Sequence, residues 1–389
     1  MRRVTVFVKS SFYTLCRRLI VIKQLFSLQI KRCIYLFICS FAVLTIKKLE
    51  NTYKNKAILI WLILGCVLVI SMVVIGGITR LTQSGLSIVE WKPISGIIPP
   101  LSQNEWQQTF QQYKESPEFI HYRMDFTLSD FKEIYFWEYL HRLLGRIIGI
   151  IFLVPFLYFW IKGYLDSSLK KKLIIIFFLG LFQGVLGWYM VKSGLVNVPH
   201  VSHYRLAAHL ITAFGLIAYI FWVILDFIPQ KRIKSGNLFI WNLSFLILLF
   251  FQICYGAFVA GLKAGKWYNT FPKMGEEWIP SSFSYEFKHY WLWAMLESPP
   301  VVQFIHRAFA YIIFILGLII FFQAYRKLKY IPKTVIFLLI LIVAQFNLGV
   351  FTLLYAVPIS LGVLHQIFAA FLTLSGIYLV KGSTPFGKS

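Results

Sequence analysis

The sequence predicts an all-α polytopic membrane protein with eight transmembrane helices arranged as two pseudo-symmetric four-helix bundles. Three observations predict it. The 389 residues are 58% hydrophobic and only 14% charged, with a mean hydropathy of +0.70; soluble domains are about half apolar and about a quarter charged. Eight apolar runs reach the roughly 20 residues a bilayer crossing needs. Motifs of the first four runs return in the last four. The net charge of +24 does not argue for nucleic acid, because the Lys and Arg lie in an N-terminal leader and in short loops between apolar runs, the pattern of cytoplasmic loops.

Residues 1–56 read as a basic leader. The first 49 carry no acidic residue, as in a mitochondrial presequence, but the segment is poor in Ser and rich in Ile, Leu and Phe. A leader lying on the cytoplasmic face is the competing reading. Its apolar part, 34–46, is too short to span. The spans follow at 57–76, 136–161, 172–191, 203–227, 238–261, 302–324, 333–354 and 357–380, the last two separated by a tight turn near Pro358. Two halves follow, 57–230 and 231–389. The cysteines Cys16, Cys33, Cys39, Cys66 and Cys254 form no CxxC pair, so neither a disulfide framework nor a cysteine metal site is expected.

Loop charge orients the chain. The leader, Lys170–Lys172, then Lys231, Arg232 and Lys234, then Arg326, Lys327, Lys329 and Lys333 fall on alternate sides of successive spans and so on one face, the inside. The loops with Glu90, Glu105, Glu115, Glu118, Asp125 and Asp130, and with Glu276, Glu277 and Glu286, face outside. Both termini are then inside. An even number of spans per half makes the repeat parallel, about an axis along the membrane normal. Gln183-x-x-x-Gly187, Gln252-x-x-x-Gly256 and Gln345-x-x-x-Gly349 recur within spans. Close helix packing is the ordinary use of such glycines, although a flat macrocycle also needs small residues beside its face.

His141, His209, His306 and His365 each stand near the start of an even-numbered span. Four imidazoles at equivalent depth, two per half, point to metal ligation. Zinc would require three or four ligands at one centre; two imidazoles in an aromatic-rich apolar bundle suit iron porphyrin. His121, His200, His203 and His289 lie in or beside outer loops and read as solvated. Both ligand pairs sit towards the outer face, so two haems would lie side by side, one serving the other. Arg142 and Arg307, beside His141 and His306, are candidates to pair with haem propionates; interfacial snorkelling is their other reading. Glu138 shares a helix face with His141, and an ionisable group at that depth suggests function. It is placed to remove a proton during oxidation of a ring substituent, where Gln303 in the second half is not. An ion pair with Arg142 or Arg146 is the alternative.

These residues resemble the haem A synthase family, from about residue 57 to 380. The motifs are Gly76-Gly77-Ile-Thr-Arg80-Leu-Thr-Gln-Ser-Gly85, Trp91-Lys-Pro93, Glu138-Tyr-Leu-His141-Arg142, Gly187-Trp188, Tyr204-Arg205-Leu-Ala-Ala-His209, Ala260-Gly261-Leu-Lys-Ala-Gly265, Tyr268-Asn269-Thr-Phe271-Pro272, Gln303-Phe-Ile-His306-Arg307 and His365-Gln366. The resemblance implies an oxidoreductase that turns a methyl group of haem O into the formyl group of haem A for cytochrome oxidase, through a hydroxymethyl stage. It implies that His141 and His209 flank the substrate haem O, that His306 and His365 ligate a bound haem b, and that Glu138 assists. It also implies a haem O synthase as supplier and an electron acceptor that the sequence does not name, in the inner membrane of a bacterium, with the mitochondrial inner membrane as the alternative; a homo-oligomer stays open. Some family members carry a cysteine pair in the first outer loop; this chain has none there, and it has Lys263 where an acidic residue is common. Two rivals remain. A non-catalytic dihaem b-type cytochrome needs the histidines but not Glu138, and a proton-relaying transporter predicts no Soret band.

Overall fold

The computed structural model describes residues 53–90, 95–195, 201–230 and 235–384. Most of the leader, the Trp91-Lys-Pro93 motif, His200 and the cations Lys231, Arg232 and Lys234 lie outside the described residues. The chain divides into two compact units, Met1–Ala57 and Ile58–Ser389. The helix packing and the site belong to the second.

Eight long helices account for the eight apolar runs. They are α1 (Tyr53–Leu81), α2 (Leu128–Ile161), α3 (Ser167–Gly194), α4 (His203–Ile224), α5 (Gly236–Gly261), α6 (Pro299–Leu328), α7 (Lys333–Leu354) and α8 (Ile359–Ser383). Each is long and apolar enough to cross a membrane, and no β-strand occurs among the described residues. The turn between α7 and α8 is as tight as expected, with Ala356 and Val357 both at positive φ (55° and 64°) ahead of Pro358.

One boundary differs materially. The second span was expected from 136, yet α2 begins at Leu128, so Glu138 and His141 sit well inside the helix rather than one turn from its mouth. The reason is local. Thr127 and Asp130 form a capping box, which satisfies donors that a helix start otherwise leaves orphaned. Phe131 then stacks on Phe110 and Tyr113 at 5.2 and 5.0 Å, which anchors the polar first turns to the short helices Gln103–Lys114 and Pro117–Tyr122. These turns carry Lys132 and Glu133, so hydropathy reads them as loop.

Helices α5, α6, α7 and α8 pack in a closed ring, α5 on α6, α6 on α7, α7 on α8 and α8 on α5. Their core is Phe245 and Leu249 of α5, Leu316 and Ile320 of α6, Leu338 and Leu341 of α7, and Leu372 of α8. It fills the end of the ring away from the two long loops. The end nearer those loops is left to His306 and His365. Helix α4 packs on α3, α5 and α8, and α2 packs on α3. Helix α1 meets α2 through Trp61, whose Nε1 donates to the Ile151 carbonyl (2.8 Å). The ends of α1 and α5, which the sequence pairs as repeats, are joined directly: Arg80 donates to the carbonyls of Ala260 (3.1 Å) and Gly261 (3.0 Å). A cation at the carboxyl end of a helix also complements its dipole. At the opposite end, Asp226 accepts from both Lys172 of α3 and Lys381 of α8.

The outward faces of α2 and α3 expose Ile150, Val154, Phe178 and Val185. In water such a surface would be an aggregation liability. Against lipid tails it costs nothing, and small residues and polar contacts hold the helices together instead.

Candidate functional site

Each of the four histidine rings lies over a glycine of the preceding helix. A side chain on Gly76 of α1 would begin 3.1 Å from His141 Nε2 of α2. One on Gly187 of α3 would begin 3.5 Å from His209 Cε1, one on Gly256 of α5 3.3 Å from His306 Cε1, and one on Gly349 of α7 3.1 Å from His365 Cε1. At Gly76, Gly256 and Gly349 that contact is tighter than side chains ordinarily make, so these glycines open the space their facing imidazoles occupy; at Gly187 it is an ordinary contact. The rings also fall within electrostatic reach of one another in pairs, His141 with His209 and His306 with His365.

The recurring glutamines stand at these same rings. Gln252 Nε2 lies 3.3 Å from His306 Nε2, and Gln345 Nε2 lies 3.3 Å from His365 Nε2. Gln183, oriented so that its oxygen accepts from the Ala213 amide (3.0 Å), reaches His209 Nδ1 at 3.1 Å. In His306 and His365 the other ring nitrogen, Nδ1, is buried with no hydrogen-bond partner among the described residues. A buried polar atom of this kind is costly unless a ligand satisfies it. A histidine that binds metal through one ring nitrogen donates the N–H of the other to an acceptor that orients the ring; turned end for end, the amides of Gln252 and Gln345 offer it Oε1, which has no other hydrogen-bond partner among the described residues. The donor set therefore fits iron held between paired imidazoles. No three His, Cys, Asp or Glu cluster at one point among the described residues, as a zinc site would require.

The Glu138 and Gln303 positions perform one mechanical task with opposite chemistry. Glu138 is 2% exposed. Its Oε2 accepts from Ser87 Oγ (2.7 Å) and from the Ile88 amide (2.8 Å), and its Oε1 accepts from Arg142 (2.6 Å). Arg142 donates in turn to the carbonyls of Ile88 (3.0 Å) and Glu90 (3.3 Å). The pair ties the loop after α1 onto α2. In the second half Gln303, 3% exposed, donates to the Tyr268 carbonyl (3.1 Å). Arg307 donates to the carbonyls of Tyr268 (2.8 Å) and Thr270 (3.0 Å). Glu138 has the ion pair that was its alternative reading, and the carboxylate faces loop donors where Gln303 faces loop acceptors.

The remaining histidines divide. His121 and His289 are exposed, as expected of solvated residues. His203 is not: it is 6% exposed, its ring lies 4.0 Å from that of Tyr204, and its Nε2 is 3.7 Å from Glu297. The solvated reading fails there because α4 begins at His203 and packs against α5, where Gly261 leaves no room for a side chain beside the His203 Cβ. Lys263, the departure noted above, takes a left-handed conformation (φ 54°) just beyond α5.

The first long loop holds a titrating group that no motif marks. Glu118 is 7% exposed beneath Tyr113, whose hydroxyl donates to it (3.1 Å), and 3.8 Å from Arg123 Nε. Burial pushes its carboxyl up to about 7, against the opposing pull of Arg123 and Tyr113. The folded state therefore holds this proton more tightly than the unfolded state. The stabilisation is fully present below the ordinary carboxylate range and is lost as pH rises towards 7, each pH unit making local opening about tenfold easier. Amide exchange in residues 110–131, corrected for intrinsic rate, should be faster at pH 8 than at pH 5, and Glu118→Gln should flatten that dependence. Equal pH dependence in the variant would discard the assignment.

The family described as "Cytochrome oxidase assembly protein" matches residues 59–377. A "Heme A synthase" of Flavobacterium johnsoniae is 46% identical over 332 residues, covering 84% of this chain and 97% of its own. Those of Nitrosospira multiformis and Rickettsia bellii (strain RML369-C) are 44% and 43% identical, covering 84% and 83% of this chain and 93% and 98% of their own.

Proposed function

The chain belongs to the cytochrome oxidase assembly protein family, and from that premise we propose that it acts as a haem A synthase, oxidising a methyl group of haem O to a formyl group. The observation that carries the reading is the fourfold repeat of an imidazole seated over a glycine, paired His141 with His209 and His306 with His365. In this reading residues 57–230 form the half that takes haem O, held by His141 and His209. Residues 231–389 form the half that holds haem b through His306 and His365. Bound haem b supplies one-electron chemistry.

The chain's own residues do the rest. Glu138 holds a proton-accepting carboxylate on the helix face that carries His141. A guanidinium has five N–H donors, so Arg142 and Arg307 can bind loop carbonyls and still face a propionate. Glu138 paired with Arg142, and Gln303 and Arg307 sharing the Tyr268 carbonyl, tie the two loops to the helices that carry His141 and His306. The setting is the cytoplasmic membrane of a bacterium with both termini inside, supported by loop charge and by bacterial relatives. A haem O synthase supplies the substrate, and an acceptor takes the electrons.

The test is pigment extraction from cells that co-express the chain with a haem O supply. Formyl-bearing haem A should accumulate, and His141→Ala or His209→Ala should stop it. Purified His306→Ala or His365→Ala protein should lose the low-spin haem b spectrum. Wild-type cells that accumulate haem O alone would defeat the reading.

A further inference from the structure

We propose that Gln183, Gln252 and Gln345 are positioning residues that lock three of the four histidines that would hold haem, and that His141 is left unlocked, as the ligand that opens to let substrate and product exchange. This rests on the ligand reading of the histidines. The seat is built the same way four times: a glycine under the ring and, one helical turn earlier on the same helix, a further residue that shares its face. At three seats that residue is glutamine, its amide 3.1 to 3.3 Å from a ring nitrogen, Nε2 in His306 and His365 and Nδ1 in His209. At the fourth, the residue four before Gly76 is Met72. A metal-bound imidazole donates its remaining N–H; an amide turned with its oxygen to the ring accepts that bond, whereas a thioether accepts only weakly. Its methyl group points towards α2 one turn beyond His141, where a side chain on Gly145 would begin 3.3 Å from Met72 Cε.

The chemistry favours this division. A resident cofactor is best served by two fixed ligands, and both histidines of the second half have their glutamine. A half that turns over must release its haem. It has one fixed ligand, His209, and one imidazole, His141, whose ring no amide among the described residues holds. Outer-sphere partners of a metal-bound histidine are worth about 10- to 100-fold in affinity, enough to decide which ligand leaves first. Met72 therefore sets the exchange rate of the first half without touching the haem chemistry, and the apolar residue at that position is a functional choice.

The experiment uses purified holoenzyme carrying haem O and haem b, with excess apomyoglobin as haem scavenger and low-temperature electron paramagnetic resonance of the ferric low-spin haems. Met72→Gln should slow haem O release by about tenfold or more, while Met72→Leu, which equally cannot hold the ring, should release at the wild-type rate. Gln252→Leu and Gln345→Leu should speed haem b release by a similar factor and shift the largest g value of the haem b signal, which reports the orientation of the axial rings. That shift separates a positioning role from simple loosening of the bundle. Unchanged haem O release in Met72→Gln, or an unshifted haem b signal in both glutamine variants, overturns the proposal. The ligand reading is checked separately: if His306→Ala and His365→Ala keep the wild-type haem b signal, that reading has failed; if they lose it while the Met72 and glutamine variants behave as wild type, only the locking proposal has.

Discussion

Replacing Glu138 by Gln is expected to lower the rate of formyl formation by a factor on the order of 10²–10⁴, the range a positioned acid–base group supplies, while bound haem O is retained. Geometry allows the two roles of this residue to be separated. The amide oxygen of Gln can still accept from Ser87 and Ile88, which now meet Oε2 at 2.7 and 2.8 Å. What is lost is the negative charge and the acceptor facing Arg142 (2.6 Å). Gln303 shows that an uncharged side chain at the matching position can hold a loop in place. If Glu138 were only a clamp, the variant would bind haem O more weakly and convert what it binds at the normal rate. The measurement is single-turnover conversion of pre-bound haem O, and a normal single-turnover rate in the variant would remove Glu138 from the chemistry.

Gly349→Val is expected to abolish haem b retention while leaving the chain folded in the membrane. A side chain at residue 349 begins 3.1 Å from His365 Cε1, and the branches of valine extend towards the ring from there. Overpacking of this kind costs about 1–3 kcal/mol, and the cheaper response is to swing the imidazole out of its seat rather than to part α7 from α8. The matched control is Gly180→Val on α3, where a side chain meets nothing within 4 Å. Haem b in the purified proteins, measured as the pyridine haemochrome, should be lost in Gly349→Val and full in Gly180→Val. Full haem b in both would mean that the glycine is not part of the seat.

What could be read without coordinates follows a physical division between local and non-local causes. The eight helices were legible because the transfer of an apolar run into a bilayer is decided by that run alone. The start of α2 was missed because Lys132 and Glu133 interrupt the hydropathy, although the capping pair Thr127 and Asp130 stands in the sequence as a helix signal. The histidines were legible as ionisable groups inside apolar runs. The glutamines were visible as a repeat, but a repeat does not say what a side chain touches. His203 was misplaced because its burial depends on Gly261, far along the chain.

The sequence by itself determined the elements: eight membrane-length helices, their repetition, and four histidines in corresponding places. Only the tertiary structure decided the partners. It set Gly76, Gly187, Gly256 and Gly349 beneath the four rings, gave a glutamine to three of them, and brought Ser87 and Ile88 to Glu138. Whether an apolar run is helical depends on its own composition. Which atoms then meet across helices depends on how side chains of different sizes pack, and that is a property of the assembled bundle.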